Sequence, residues 1–417
     1  MAKKAKKNED FLTKEAKEGQ ATAAAYTLEI PEDEIWSYQV EGLQAPHINK
    51  PFKNAGIKKI VVVIALIVAI GVAIWLSVRA VHNDMYQYKD LGDGTYELVK
   101  FTNPGDVTEI TFDYVVDNET GEKDYSKPIS TIAEFAINCD ETINKITFGK
   151  DVKEIHGTSI YSCWWINYVE VDDENPYLCD IDGVVYSKDL TELLFFPTAY
   201  YMHLKEVNGY DEFVNQWFGP IEESGATFDE AFWTDFDNSV RTYVVPSTVT
   251  KIGQLAMAYS KNINLYIPEG VKRMESMAVF KSESLANLYS YTADEAITDT
   301  TYKAIASMAT VYDSLPEGLE YIGSDCFYYC RELDYMYVPA SIKYIGHHAF
   351  WNTCYLESVE QEDGKKEKTL LGVTEINIGA DEETFKNDVE KGDQWRPWYD
   401  YMLFKKSIDV NYSAERR

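Results

Sequence analysis

Apolar residues follow two patterns along the chain. One is unbroken: from Ile60 to Val78 the run IVVVIALIVAIGVAIWLSV holds 19 residues without a charge, and at ~1.5 Å rise per residue it nearly crosses a ~30 Å hydrocarbon layer. The other is intermittent. Short apolar–polar alternations such as LYIPEG and MYVPAS end at a proline, which closes a strand because it cannot continue the ladder. The first pattern predicts a single transmembrane helix over 60–78, the second a succession of short strands. A cleavable signal peptide has a shorter apolar region, roughly 7 to 15 residues near the N-terminus, whereas this run follows 59 residues of mostly polar chain.

Flanking charge orients the span. Lys53, Lys58 and Lys59 precede it, and Asp84, Asp90 and Asp93 follow Arg79, so the positive-inside rule places residues 1–59 in the cytoplasm and the remainder outside a plasma membrane crossed once. Residues 1–25 alternate charge with alanine and lack the bulky apolar residues of a core, which predicts a disordered tail. In 26–59, aromatic and aliphatic residues return among prolines. Residues 26–52 read either as a docking segment for a cytoplasmic partner or as a juxtamembrane spacer.

Beyond the span the chain folds back on a fixed period. With Ile132, Ile155, Ile252, Met274, Ile322 and Ile345 as anchors, the fourth residue on is small: Ala136, Ser159, Ala256, Ala278, Cys326 and Ala349. The fifth is bulky and apolar, from Ile137 to Phe350, and the eleventh is always Ile or Leu. Neighbouring anchors lie 22 or 23 residues apart, and the interval of 48 between Met274 and Ile322 leaves room for one degraded repeat. A period near 23 falls in the leucine-rich window of about 20 to 29 residues. One such unit cannot enclose its own apolar face, so the units must stack into a solenoid with a parallel sheet along one side.

The frame IG-x-x-AF-x-x-C-x-x-L of IGHHAFWNTCYL and IGSDCFYYCREL, and the hairpin DENPYLCDIDGVVYSKDLTELLFFP (173–197), resemble the BspA-like leucine-rich repeats of bacterial and some protist surfaces. DGTYELVKFTNPGDVTEITF (93–112) is similar to the opening strands of such ectodomains, and INIGADEETFKNDVEKGDQW (376–395) to their closing element. The resemblance implies N-terminal cap strands over 84–131, a leucine-rich repeat solenoid over 132–372 with turns and short helices opposite its sheet, and a C-terminal cap over 373–417. It also implies a surface protein of binding or adhesive type, with an extracellular protein or glycan as ligand, and carries no catalytic residue over. Two rivals remain: a scaffold subunit of a membrane or envelope complex with a cytoplasmic docking segment, and an enzyme using the inserted region 198–240. That region breaks the period and is rich in aromatics and acids, with helices expected over 210–217 and 228–236.

Composition narrows the classes. The net charge is −30; residues 1–59 hold 10 Lys and 9 Asp or Glu, so the remainder carries 29 basic and 60 acidic side chains, a net of −31. Such a polyanion argues against nucleic acid. No nucleophile elbow, zincin or phosphate-loop motif is present, and no cofactor is implied. The adjacent His347 and His348 occupy a slot filled elsewhere by Ser324–Asp325 or Gly157–Thr158, and zinc needs three or four converging ligands, so no metal site is assigned to them. Cys139, Cys163, Cys330 and Cys354 fall seven to nine residues after their anchors. They read as buried thiols, with Cys139–Cys163 and Cys330–Cys354 disulfides as the alternative, since stacked strands lie ~4.8 Å apart.

Tyrosine supplies the candidate binding surface. Aligned on their closing turns, Tyr266, Tyr289 and Tyr337 are equivalent, and period-two alternation points them away from the core. Joined by Tyr335 and Tyr291, they form either a strip of ligand contacts or a ladder that merely stabilises adjacent rungs. In QWRPWYDYM (394–402), Trp395 and Trp398 read as a cap over the last rung.

Overall fold

The computed structural model describes residues 85–138, 140–207, 238–360, 366–397 and 408–417. The expected span over 60–78, the segments 1–25 and 26–59, the helices expected over 210–217 and 228–236, Cys139 and Trp398 lie outside the described residues. Among the described residues no helix is long and apolar enough to cross a membrane.

The repeats stack as expected. Two-residue strands Lys251–Ile252, Arg273–Met274, Tyr321–Ile322, Tyr344–Ile345 and Glu390–Lys391 pair in parallel, one rung on the next. The same bond recurs at each step: the residue after an anchor donates its N–H to the preceding anchor's carbonyl, as in Glu275 to Ile252 (2.9 Å), Gly323 to Met274, Gly346 to Ile322 and Gly392 to Ile345 (each 2.8 Å). Glu275 shows that the slot admits a side chain at one step, but at the later steps the closeness demands glycine. A Cβ on Gly323, Gly346 or Gly392 would stand 2.3 Å from a backbone nitrogen of the neighbouring rung.

The small fourth slot is equally determined. Ala136, Ser159, Ala256, Ala278, Cys326 and Ala349 are all fully buried, and the Ala278 and Ala349 carbonyls each accept from the bulky residue of the rung before, Met257 and Phe327, at 2.8 Å. Phe327 and Phe350 stack with centroids 5.5 Å apart; burying a side chain of that size contributes about 2–3 kcal/mol. The turns after Ile252, Met274, Ile322 and Ile345 each carry two residues in the left-handed region, such as Asp325 and Tyr329, or His348 and Asn352.

The interval of 48 residues holds no additional rung here: Arg273–Met274 pairs directly with Tyr321–Ile322. The extra residues instead leave the stack, form the 3-10 turn Tyr302–Ser307, and return as strand Thr310–Tyr312 antiparallel to Asn287–Thr292. A further rung, Glu390–Lys391, lies beyond Ile345. Trp395 follows it, buried against Phe350 and Phe385.

Among the described residues two large apolar interiors result, with the hairpin of Val184–Ser187 and Glu192–Phe195 between them. Val184, Tyr186 and Leu193 belong to the C-terminal interior, Val185 and Phe195 to the N-terminal one. A bulge between Val185 and Tyr186 lets Leu193 and Phe195 serve opposite sides. Leu178–Ile181 pairs with Val184–Ser187 through Asp182–Gly183, both at positive φ as a type I′ turn requires. Asn175 of the NP-x-Y motif is buried because its side chain donates to the carbonyls of Gly149 and Val152 and accepts from the N–H groups of Tyr177 and Leu178.

Candidate functional site

The second row of strands carries the tyrosines. Thr242–Val244, Asn264–Pro268 and Asn287–Thr292 pair in parallel, with Leu265 opposite Leu288 and Tyr266 opposite Tyr289. Leu265, Ile267 and Leu288 point inward and are buried, while Tyr266 and Tyr289 are half-buried on the outer face with rings stacked 4.7 Å apart. Burial, and then the neighbouring Tyr289, pushes the Tyr266 phenol up to about 12. Tyr289 is raised by burial and by Asp313 and Asp334. This pair has the geometry both of a rung-to-rung ladder and of an aromatic contact surface.

The rest of the expected strip is rearranged. Tyr291 is only 1 % exposed, because the excursion after Thr292 folds over it: it clusters with Val244, Ile297 and Ala304 and donates its hydroxyl to the Val245 carbonyl at 2.6 Å. Tyr337 is 4 % exposed and lies in a different sheet, where Tyr337–Val338 pairs with Glu375–Ile378. The strand Thr310–Tyr312 occupies the edge of the Tyr266–Tyr289 sheet, so the row cannot continue to Tyr337. Tyr337 instead donates to Glu317 Oε2 at 3.4 Å, and burial with that carboxylate pushes its phenol up to about 12. Tyr335 stays half-buried, beneath the Arg417 guanidinium at 4.0 Å.

Three residues that the period does not flag gather at the edge of this sheet: Tyr312, which pairs opposite Ser290 and so shares its side rather than that of Tyr289, and Arg416 and Arg417. After strand Asp409–Asn411 the chain turns across the sheet, with Ser413 N–H donating to Ala380 and Ala414 N–H to Ile378. Arg416 then lies over the Tyr312 ring at 3.5 Å, pairs with Glu269 and, at 3.8 Å, with Glu317, and donates to Ser290 Oγ at 2.7 Å. The Arg417 carbonyl accepts from Asp313 N–H. Burial raises the Asp313 carboxyl, and Arg417 partly offsets it. The phenol pair thus has Asp313 and Asp334 beside it, and the carboxylates of Glu269 and Glu317 gather separately around Arg416. Beside Glu269 a cleft of about 340 Å³ opens, lined by Ser247, Pro268, Gly270, Tyr291 and Asp294 among others.

The histidines and cysteines have local roles. His348 shares a hydrogen bond with Gln394 Oε1 at 3.0 Å and lies 3.6 Å from Asp325, while His347 is exposed. Among the described residues no three His, Cys, Asp or Glu side chains gather where a metal would sit. Cys330 and Cys354 are not bridged, contrary to the disulfide alternative. The Cys330 thiol lies 3.1 Å from the Val279 carbonyl and the Cys163 thiol 3.6 Å from that of Ile137, the same bond that Ser282 makes to Met257. A small donor at this slot ties each rung to its neighbour's backbone. Burial pushes the Cys330 thiol up to about 12.

Comparison with solved structures finds the pneumococcal vaccine antigen PcpA (14 % identity, 75 % of this chain and 84 % of that one, TM-score 0.31). It also finds a leucine-rich repeat protein of Bacteroides ovatus (14 %, 74 % and 66 %, TM-score 0.33) and a leucine-rich cell surface protein of Faecalibacterium prausnitzii (14 %, 80 % and 94 %, TM-score 0.27). No curated protein matches. The model of the BspA type leucine rich repeat region matches six copies over residues 93–180 and 229–357, more than half of the chain. With anchors, small slots and backbone ladder repeating in register across those residues, the chain belongs to the BspA-type leucine-rich repeat family.

Proposed function

We propose that this protein is a membrane-anchored surface receptor or adhesin whose solenoid stands outside the cell and binds a protein or glycan ligand through the face around Tyr266 and Tyr289. The observation that carries this reading is that face itself. Two stacked phenols on adjacent rungs sit half-buried, with Asp313 and Asp334 near Tyr289, fixed by a sheet rather than by a loop. Rigid tyrosines give contact area at low entropic cost, and acids at the rim select the partner by charge. The charge-free run over 60–78 supports the anchor, and its basic flank supports an outward solenoid.

The test is adhesion of cells bearing the full chain to host extracellular-matrix proteins, comparing the natural chain with Tyr266→Ala/Tyr289→Ala. Adhesion falling at least tenfold with an unshifted melting temperature supports the reading. A melting temperature lowered by several degrees with adhesion unchanged assigns the pair to rung stacking alone.

A further inference from the structure

We propose that the Glu269–Glu317 carboxylate pair beside Tyr312, at the edge of the tyrosine-bearing sheet, is a seat for an arginine-bearing extended segment of a protein ligand, and that residues 412–417 hold this seat in cis until the ligand displaces them. The proposal rests on the binding face described above and names its ligand chemistry. The seat is a product of the repeat. Pro268–Glu269–Gly270 and Pro316–Glu317–Gly318 occupy the same position of two rungs that pair directly, Arg273–Met274 and Tyr321–Ile322. Stacking in register therefore brings the Glu269 and Glu317 carboxylates together, and like charges at that spacing repel unless a cation lies between them. The neighbouring rungs carry Ser247 and Ala340 at this position, so the acidic pair occurs at this one step.

The cation present is Arg416. Its guanidinium meets both carboxylates and Ser290 Oγ while lying flat on Tyr312. A planar fork between paired carboxylates and an aromatic face is what guanidinium recognition requires, and lysine satisfies only its charge. The occupant is anchored at Arg416 and Arg417 but leaves one donor unsatisfied. Arg416 Nε has no acceptor among the described residues, Glu415 and Arg417 are exposed, and the segment leading to them is tied by the Ser413 and Ala414 N–H groups. A buried donor without an acceptor costs binding energy, so a ligand whose arginine brings an acceptor of its own to that Nε competes favourably. Beside the seat, the cleft at Glu269 offers contact area that the tail does not use.

The test uses the full chain in detergent and a fluorescent peptide, Tyr-Ser-Ala-Glu-Arg-Arg, followed by anisotropy. Because a tethered occupant acts at an effective concentration near the millimolar range, Arg416→Ala/Arg417→Ala should bind the peptide at least about tenfold more tightly than the natural chain, with affinity falling as salt rises. Adding Glu269→Gln/Glu317→Gln should remove that binding, and a Lys-Lys peptide should bind several-fold more weakly. As a readout that does not depend on substitutions, amide exchange over 408–417 of the natural chain should accelerate in excess peptide. Equal binding by the natural chain and the Arg416→Ala/Arg417→Ala variant, or binding indifferent to the two glutamates, overturns the proposal. So does sedimentation showing the natural chain pairing through exchanged tails, which would give the seat to a second copy. Adhesion lost in Tyr266→Ala/Tyr289→Ala without any peptide binding would defeat this inference and leave the binding face standing; peptide binding with adhesion unaffected would do the reverse.

Discussion

Replacing Gly346 by alanine should damage the stack, whereas the same change at Gly270 should not. A Cβ on Gly346 would stand 2.3 Å from Ser324 N, 2.5 Å from Gly323 C and 2.6 Å from Ser324 Cα, all backbone atoms of the rung before. None of these can rotate away, so the two rungs must separate, straining the Gly346 to Ile322 bond of 2.8 Å. Overpacking of this kind costs about 1–3 kcal/mol. At Gly270 the nearest atoms are carbonyl oxygens at 3.6 and 3.8 Å, ordinary contact distances, and the backbone is not left-handed. There, alanine restricts the unfolded chain and stabilises by about 0.4–1 kcal/mol. The two variants should therefore differ by about 1.5–4 kcal/mol in urea unfolding followed by tryptophan fluorescence, with midpoints shifted in opposite directions at unchanged slope. Midpoints that move together by similar amounts would refute the argument that rung contact dictates glycine in the frame.

Cys330→Ser should leave stability nearly unchanged, because Ser282 already makes the equivalent bond to Met257 at 3.0 Å, while Cys330→Ala removes one of two donors to the Val279 carbonyl, which keeps the Ser282 N–H at 3.3 Å, and should cost about 0.5–1.5 kcal/mol in the same assay. With its thiol pushed up to about 12 by burial, Cys330 should resist alkylation at pH 8 until urea unfolds the chain. Tyr186 and Tyr243 are fully buried and share a hydrogen bond between their hydroxyls, and burial raises both phenols well above 10. Their folded values exceed the unfolded ones, so their contribution to stability is complete below about pH 10 and is lost as pH rises further, when the unfolded chain alone gives up protons. Absorbance at 295 nm should accordingly show these phenols ionising only together with cooperative unfolding, and gradual ionisation below that transition would contradict their burial.

What could be read from the sequence was what repeats. Ala278 and Ala349, 71 residues apart by numbering, share one environment because the same backbone bond crosses each, and a period of about 23 is visible wherever that constraint holds. The rung at Lys391–Gly392 escaped detection because the hairpin Cys354–Glu360 with Lys366–Gly372 separates it from Ile345, and because no further rung demands a small residue where Trp395 stands. Tyr291 and Tyr337 were misplaced for a related reason: alternation gives the face a side chain points to, but not whether another segment covers that face. The excursion over Tyr291 and the tail over Tyr312 and Tyr335 are long-range docking events that leave no periodic trace. The part of the site made by stacking, Tyr266 with Tyr289, was legible; the part made by chain crossing was not.

The account depends on the solenoid facing outward from the cell, and a membrane-impermeant maleimide applied to intact cells tests this directly. Ser307 is exposed on the excursion of the solenoid, and Ala24 precedes the charge-free run. Ser307→Cys should label on intact cells above the background of the natural chain, and Ala24→Cys only after lysis. Labelling of position 24 on intact cells, with position 307 protected until lysis, would contradict the orientation and with it the reading of the tyrosine face as a surface that meets external ligands.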